Sequence, residues 1–192
     1  MHRNELLTLL ANHRTRFMDE VTYVRRAIEF INAHEQIFDR ATPIHVTASA
    51  WVVSPDREKI LLILHRKLNR WFQPGGHADG DNDVLRVALR ECSEETGIPP
   101  DQIHLIDPAI FDVDMHSTPA MGQVPAHDHI DIRFVVEIDD RLPIPGNDES
   151  HAIEWVPLYR VLHYNNFRST YRMLEKTRAM RNPVQVLRQQ SA

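Results

Sequence analysis

The chain has 192 residues, 42% of them hydrophobic and 26% charged, with a formal net charge of -5. That balance suits one globular domain with a sizeable core, and the acidic surplus argues against a general binder of nucleic-acid polymers, which needs a basic face. The lone Cys92 allows no internal disulfide, the polar start MHRNELL reads as no signal peptide, and no apolar run could span a membrane, so a reducing cytoplasm is the expected setting.

Residues 4–36 predict two helices, in the second of which Phe17, Val21, Val24, Ile28 and Ile31 recur at helical spacing. IHVTASAWVV (44–53) is rich in β-branched residues and predicts a strand. The turn SPDRE separates it from a second strand, KILLILHRK (59–67), which together make a hairpin. After RWFQPGG comes a helix from about Asp83 to Thr96, closed by Gly97 and two prolines. Residues 103–116 read as one or two strands. In 127–139, Ile130, Ile132, Phe134 and Val136 face one side of a further strand, and His129, Asp131 and Arg133 the other. A loop, DRLPIPGNDES, leads to the short strand HAIEWVPL, and helices near 157–164 and 167–180 follow. Mixed strands, one central helix and helices at either end give an α/β layered fold rather than simple βαβ winding.

The central helix carries the chemistry. Glu91, Glu94 and Glu95 share one side of it, beside an apolar stripe of Leu85, Ala88, Leu89 and Cys92. Two such carboxylates about 5 Å apart repel by roughly 3 kcal/mol at an effective dielectric near 20. A hard divalent cation reverses that cost. Arg90, four residues before Glu94, could brace it and leave Glu91 and Glu95 to the metal. Gly75 and Gly76 let backbone come close enough for a carbonyl oxygen, as at Gly75, to join them. A bare E-x-x-E-E is more often a solvated face, so the case rests on this context.

Gly76, Arg90, Glu91, Cys92, Glu94, Glu95, Gly97 and Ile98 also match the box of the Nudix hydrolases: G, five residues, E, seven residues, R-E-U-x-E-E-x-G-U, with U aliphatic. The resemblance covers residues 44–160. It implies an α/β/α sandwich with a mixed sheet at 41–192, carrying the C-terminal helices, and an added N-terminal helical extension at 1–40. One position departs, since Asn82 stands where the box has its first Glu. An amide brings no negative charge to a metal, though Asp79, Asp81 and Asp83 lie around it.

The activity implied is metal-dependent hydrolysis of a diphosphate bond in a nucleoside diphosphate linked to another group. Mg²⁺ or Mn²⁺ would sit on Glu91, Glu95 and Gly75. Arg90 and Glu94 are the expected helpers, with Glu149 in the DRLPIPGNDES loop as general base and His151 as runner-up. Trp71 and Phe72 are expected to stack a base, whereas Trp51 and Trp155 belong to the core. Among 12 histidines, His77, His127 and His129 are expected to touch substrate; a half-exposed polar strand, or a zinc site that includes His116, are the other readings. A non-catalytic Nudix-fold nucleotide-binding or sensor module is the rival function, favoured by Asn82 alone. The N-terminal helices could form a lid, a partner surface or the face of a homodimer.

Overall fold

The structure, a computed structural model, describes residues 2–120, 122–148 and 150–180. In chain order the elements are α1 (Arg3–Asn12), α2 (Met18–Ala33), β1 (Ile44–Val53), β2 (Lys59–His65), β3 (Arg70–Phe72), β4 (Gly75–His77) and α3 (Val84–Thr96). After these come β5 (His104–Leu105), β6 (Asp112–Thr118), β7 (His127–Glu137), β8 (Ser150–Pro157), α4 (Val161–Tyr164) and α5 (Arg168–Met180).

β1 is made mostly of small and β-branched residues and is buried from His45 to Val53, as a strand covered on both faces must be. Its whole length pairs in parallel with β7, from Ile44 opposite Asp128 to Val53 opposite Glu137. On its other side β1 meets β2 at Val53 and β4 at Thr47 to Ser49, both antiparallel. β6 and β5 line the far side of β7, and β3 and β8 both pair with β2. The expected hairpin therefore forms, but only at its tip. The segment after it turns back at Asn69 and lays the glycines into strand β4, rather than leaving them in a loop.

Strand alternation sends the two faces of the sheet to different helices. Val46 and Ala48 of β1 and Ile130 and Ile132 of β7 pack with Val84, Val87 and Ala88 of α3, and with Leu6, Leu10, Ala27 and Ile31 of α1 and α2. Trp51, Val53 and Val135 on the opposite face pack with Val161 of α4 and with Met173 and Leu174 of α5. This is the α/β/α sandwich with a mixed sheet, with the N-terminal helices present and sharing its core.

Two helix faces differ from the sequence expectation. In α2 the buried positions are Glu20, Ala27 and Ile31, while Val21 is 44% exposed. In α3 the stripe is Val84, Val87, Ala88 and Cys92, with Leu85 and Leu89 only partly covered. The cause in α2 is electrostatic. Glu20 faces inward because it accepts from Lys176 Nζ (2.6 Å), the Val113 backbone N–H (3.1 Å), Thr15 and the His13 ring.

That carboxylate belongs to a buried charge network. Arg133 donates to Asp131 (2.7 Å), Asp112 (3.2 Å) and Asp114 (3.2 Å). Arg172 donates to Asp112 (3.0 Å), Asp114 (3.1 Å) and Asp19 (2.7 Å). Lys176 joins Asp112 to Glu20. Strands β6 and β7 are thereby tied to α2 and α5. Burial pushes the Glu20 carboxyl up, but the hydrogen bonds and the Lys176 charge outweigh it and hold the group at about 2.

Removing one member of a buried ion pair strands the other, at a cost of about 3–5 kcal/mol. Glu20→Gln is therefore predicted to lower stability by that amount near neutral pH, as read from urea unfolding. Because the folded pKa lies below the unfolded one, the carboxylate stabilises the fold fully above roughly pH 4.3 and loses its contribution as the pH falls toward about 2. The gap between wild type and variant should close over that window. A gap that stays constant would remove Glu20 from the network's energetics.

Candidate active site

Asp83 caps α3 by accepting from the Arg86 N–H, and Gly97 ends it in the left-handed conformation at φ 72°. Between these ends, the Glu91 side chain of α3 lies close against Gly76 of β4, while Gly75 lies close against β1. A Cβ on Gly76 would lie 2.5 Å from the Glu91 carboxylate carbon, and one on Gly75 would lie 2.8 Å from the backbone of Ser49. Glu95 Oε2 accepts from the Gly75 N–H at 2.9 Å. The two carboxylates thus converge on the backbone of Gly75 and Gly76, in a cradle that a larger residue would fill.

Arg90 braces two acids rather than one. Its guanidinium contacts Glu94 at 2.9 Å and Glu91 at 2.8 Å, and it donates to the His77 carbonyl at 3.2 Å. Glu95 is nearly buried, Glu91 half-buried and Glu94 exposed. Burial pushes the Glu91 carboxyl up, with the Glu94 charge adding to it against Arg90. Cys92 is fully buried, and its thiol is pushed to about 12, so it serves as a small apolar residue.

The acids around Asn82 have other duties. Asp79 pairs with Arg40, Asp81 takes both arms of Arg86, and Asp83 is the helix cap. Arg40 holds the Asp79 carboxyl below its usual range, and Arg86 does the same for Asp81. Asn82 is exposed and lines a groove with Arg3, Glu35, Phe38 and Asp39, against the N-terminal helices. Glu149 lies outside the described residues. Its neighbours dock on the end of α3: Gly146 N–H donates to the Thr96 carbonyl (2.9 Å) and Asn147 Nδ2 to the Glu94 carbonyl (3.0 Å). His151 is exposed on β8.

Trp71 sits edge-on to Tyr164, and Phe72 stacks on Phe167 with ring centroids 6.1 Å apart. Both are partly exposed, three or four residues ahead of Gly75. Trp51 is wholly buried and donates from Nε1 to Thr177.

The registers arrange the polar face of the sheet in rows. Asp112, Arg133, Ser49 and Gly75 form one row across β6, β7, β1 and β4, and Asp114, Asp131, Thr47 and His77 the next. His116, His129 and His45 form the third, with His127 two residues before His129. Ser49 and Thr47 both donate to Asp131. His77, His127 and His129 are brought together, and His45 stands among them. The sequence reading missed His45, because an isolated histidine in an apolar strand carries no spacing signal. The polar alternation His45, Thr47, Ser49 was the available hint. Burial is the main reason that the His77 ring is lowered to about 4 and the His129 ring to about 2.

The close packing of β4 predicts different outcomes at its two glycines. Gly76→Ala meets the end of a flexible side chain, so the fold should persist while Glu91 is displaced. The metal concentration for half-maximal activity should then rise at least about tenfold. Gly75→Ala meets backbone, and overpacking should cost about 1–3 kcal/mol in urea unfolding. An unaltered metal titration in folded Gly76→Ala would separate Glu91 from the metal.

The family model of the NUDIX domain matches residues 43–176, more than half of the chain. Phosphatase NudJ of Escherichia coli strain K12 is 28% identical over 129 residues, spanning 65% of this chain and 76% of that protein. A solved Ap4A hydrolase of C. elegans, in a binary complex, superposes with a TM-score of 0.57 at 17% identity, covering 70% of this chain and 95% of that one. The E. coli dihydroneopterin triphosphate pyrophosphohydrolase gives a TM-score of 0.55 at 16% identity, covering 68% and 92%. At such identities the solved structures speak for the fold, while the sequence match carries the kinship. By that match, and by the box helix seated on its glycine strand, this chain belongs to the Nudix hydrolase family.

Proposed function

We propose that the protein is a metal-dependent pyrophosphohydrolase that cleaves a diphosphate bond in a nucleoside diphosphate linked to another group. The observation that carries this reading is the convergence of Glu91 and Glu95 on the backbone of Gly75 and Gly76. Two carboxylates and a backbone carbonyl are a hard-oxygen donor set, which fits Mg²⁺ or Mn²⁺. Glu91, Glu95 and the Gly75 carbonyl would hold the ion, whose Lewis acidity toward phosphate oxygens and water is the chemistry it supplies when bound.

The chain's own groups do the rest. Arg90 fixes the rotamer of Glu91 and keeps Glu94 at the rim, so the acids are in place before substrate arrives. Glu149 is the proposed general base and takes the proton of the attacking water on a carboxylate oxygen. The docking of Gly146 and Asn147 on the end of α3 supports that role, since it ties this loop to the acidic helix. Glu94 and His151 are the fallback bases. Phe72 and the exposed Phe167 offer a stacking surface for a base, backed by Trp71 on Tyr164.

Of the named neighbours, one is a hydrolase of the dinucleotide Ap4A, which supports a nucleotide-type substrate here, and another a pyrophosphohydrolase of dihydroneopterin triphosphate; E. coli NudJ is named a phosphatase. No helix among the described residues is long and apolar enough to cross a membrane. A cytoplasmic place and a homodimer belong to the same proposal.

Phosphate or nucleotide release from a panel of dinucleoside polyphosphates, nucleotide sugars and nucleoside triphosphates, with Mg²⁺ or Mn²⁺, is the test. Glu91→Gln and Glu95→Gln should each abolish metal-dependent turnover. Glu149→Gln should lower kcat by on the order of a hundredfold with metal affinity nearly unchanged. Nucleotide binding without turnover across the panel would favour the sensor reading, and a loss of only a few-fold in Glu149→Gln would move the base to Glu94 or His151.

A further inference from the structure

Four imidazoles from three strands meet on the polar face of the sheet. The parallel register sets His45 opposite His129, strand alternation keeps His127 on the same face, and the antiparallel pairing of β4 brings in His77 beside Thr47. Ring centroids lie 4.8 Å apart for His127 and His129, 4.9 Å for His45 and His129, 5.1 Å for His45 and His127, and 5.2 Å for His77 with either His45 or His129. One ring nitrogen from each of the four lies within 4.8 Å of all the others.

The hydrogen bonds around the cluster turn lone pairs inward. A carbonyl only accepts, so the bond from His45 Nδ1 to the Thr42 carbonyl (2.9 Å) puts the proton on Nδ1 and leaves Nε2 as an acceptor. The bond from His127 Nδ1 to the Pro125 carbonyl (2.9 Å) does the same there. His129 Nδ1 lies 3.3 Å from His116 Nε2, and His116 Nδ1 faces Asp114 at 3.6 Å. That carboxylate favours a proton on His116 Nδ1, so His116 Nε2 accepts from His129 Nδ1 and the His129 lone pair also falls on Nε2. His45 Nε2 and His129 Nε2 are both buried with no hydrogen-bond partner among the described residues. A buried polar atom left so is destabilising, because it has lost its bonds to water and gained none. Acceptors alone cannot satisfy one another; a cation satisfies them all.

We propose that His45, His77, His127 and His129 form a binding site for a borderline-soft divalent metal, Zn²⁺ foremost, separate from the carboxylate site on α3. Four neutral nitrogens select zinc over magnesium, which takes oxygen. A tetrahedral ion with bonds of about 2.0–2.1 Å sets nitrogens roughly 3.4 Å apart, so the rings close by on the order of 1 Å from their present spacing. With four protein ligands no position stays open for water, which makes the role structural. The ion would pin the short strand β4, and with it the Gly75–Gly76 peptide, to β1 and β7. His116 and Asp114 orient a ligand, as hydrogen-bonded partners of metal-bound histidines do. His77, His127 and His129 then hold metal rather than substrate.

The test uses the full-length chain without a histidine tag, stripped by chelator and kept in excess Mg²⁺ so that the acidic site is filled. Zn²⁺ and Co²⁺ are titrated, and bound metal is measured by elemental analysis after gel filtration. Expected are equimolar retained zinc, the intense visible bands of four-coordinate Co²⁺, and a higher Tm on loading. His127→Gln, at the partly exposed start of β7, should weaken zinc at least about tenfold and fade the cobalt bands. Glu91→Gln and Glu95→Gln should leave the zinc content unchanged. Wild-type protein that retains no zinc and gives no visible cobalt bands overturns the proposal. So does a folded His127→Gln whose zinc affinity is normal while its KM for nucleotide rises, since the imidazoles then touch substrate.

Discussion

The parallel ladder between β1 and β7 is the constraint on which the rest depends. Every residue of β1 has a fixed partner on β7, and the side-chain period of a strand is two. A slip of one residue would send Arg133, Asp131 and His129 into the apolar layer under α3, and Ile130, Ile132 and Phe134 into the polar one. No intermediate register is tolerable, because a buried arginine among leucines has no partner. The ladder therefore sets the cores, the charge network and the histidine cluster together.

Along the polar face the environment changes in steps. At the α5 end it is apolar, with Trp51, Val53 and Val135 under Met173 and Leu174. Next come Arg133 and Asp112, both buried, with Asp112 locked to Arg133, Arg172 and Lys176. Asp131 and Asp114 follow, and then the imidazoles. Charge is tolerated in the middle because each ion is held by several partners, which offsets its desolvation. Arg133 and Arg172 have their guanidinium groups raised above the usual range, the nearby aspartates outweighing the effect of burial. The network also explains why the N-terminal helices are more than an appendage: Asp19 and Glu20 complete it from outside the segment that matches the family.

β4 stands between two chemistries. Its Gly76 faces the carboxylates of α3, and its Gly75 and His77 face Ser49 and the imidazoles. The strand is three residues long and, among the described residues, pairs with β1 alone. Its position must come from what grips it on either side: the Glu95 bond to Gly75, the Arg90 bond to the His77 carbonyl, and the side-chain environment of His77. Oxygen ligands on one face and nitrogen ligands on the other would let one small strand serve two ions of different hardness without exchange between them.

What could be read from the chain alone was whatever is local. The helix from about Asp83 to Thr96 and its Gly97 stop, the strands at 44–53 and 127–137 and the acids Glu91 and Glu95 follow from spacing, propensity and end signals within about twenty residues. Alternation in 127–139 even told which residues share a face. Local patterns did not tell what lies opposite. That Glu20 would face inward, that Asp79 would be taken by Arg40, and that His45 would join histidines more than thirty and eighty residues away were decided by tertiary packing. Charged side chains obey their partners more than their own polarity, and those partners are assembled only when distant segments pack.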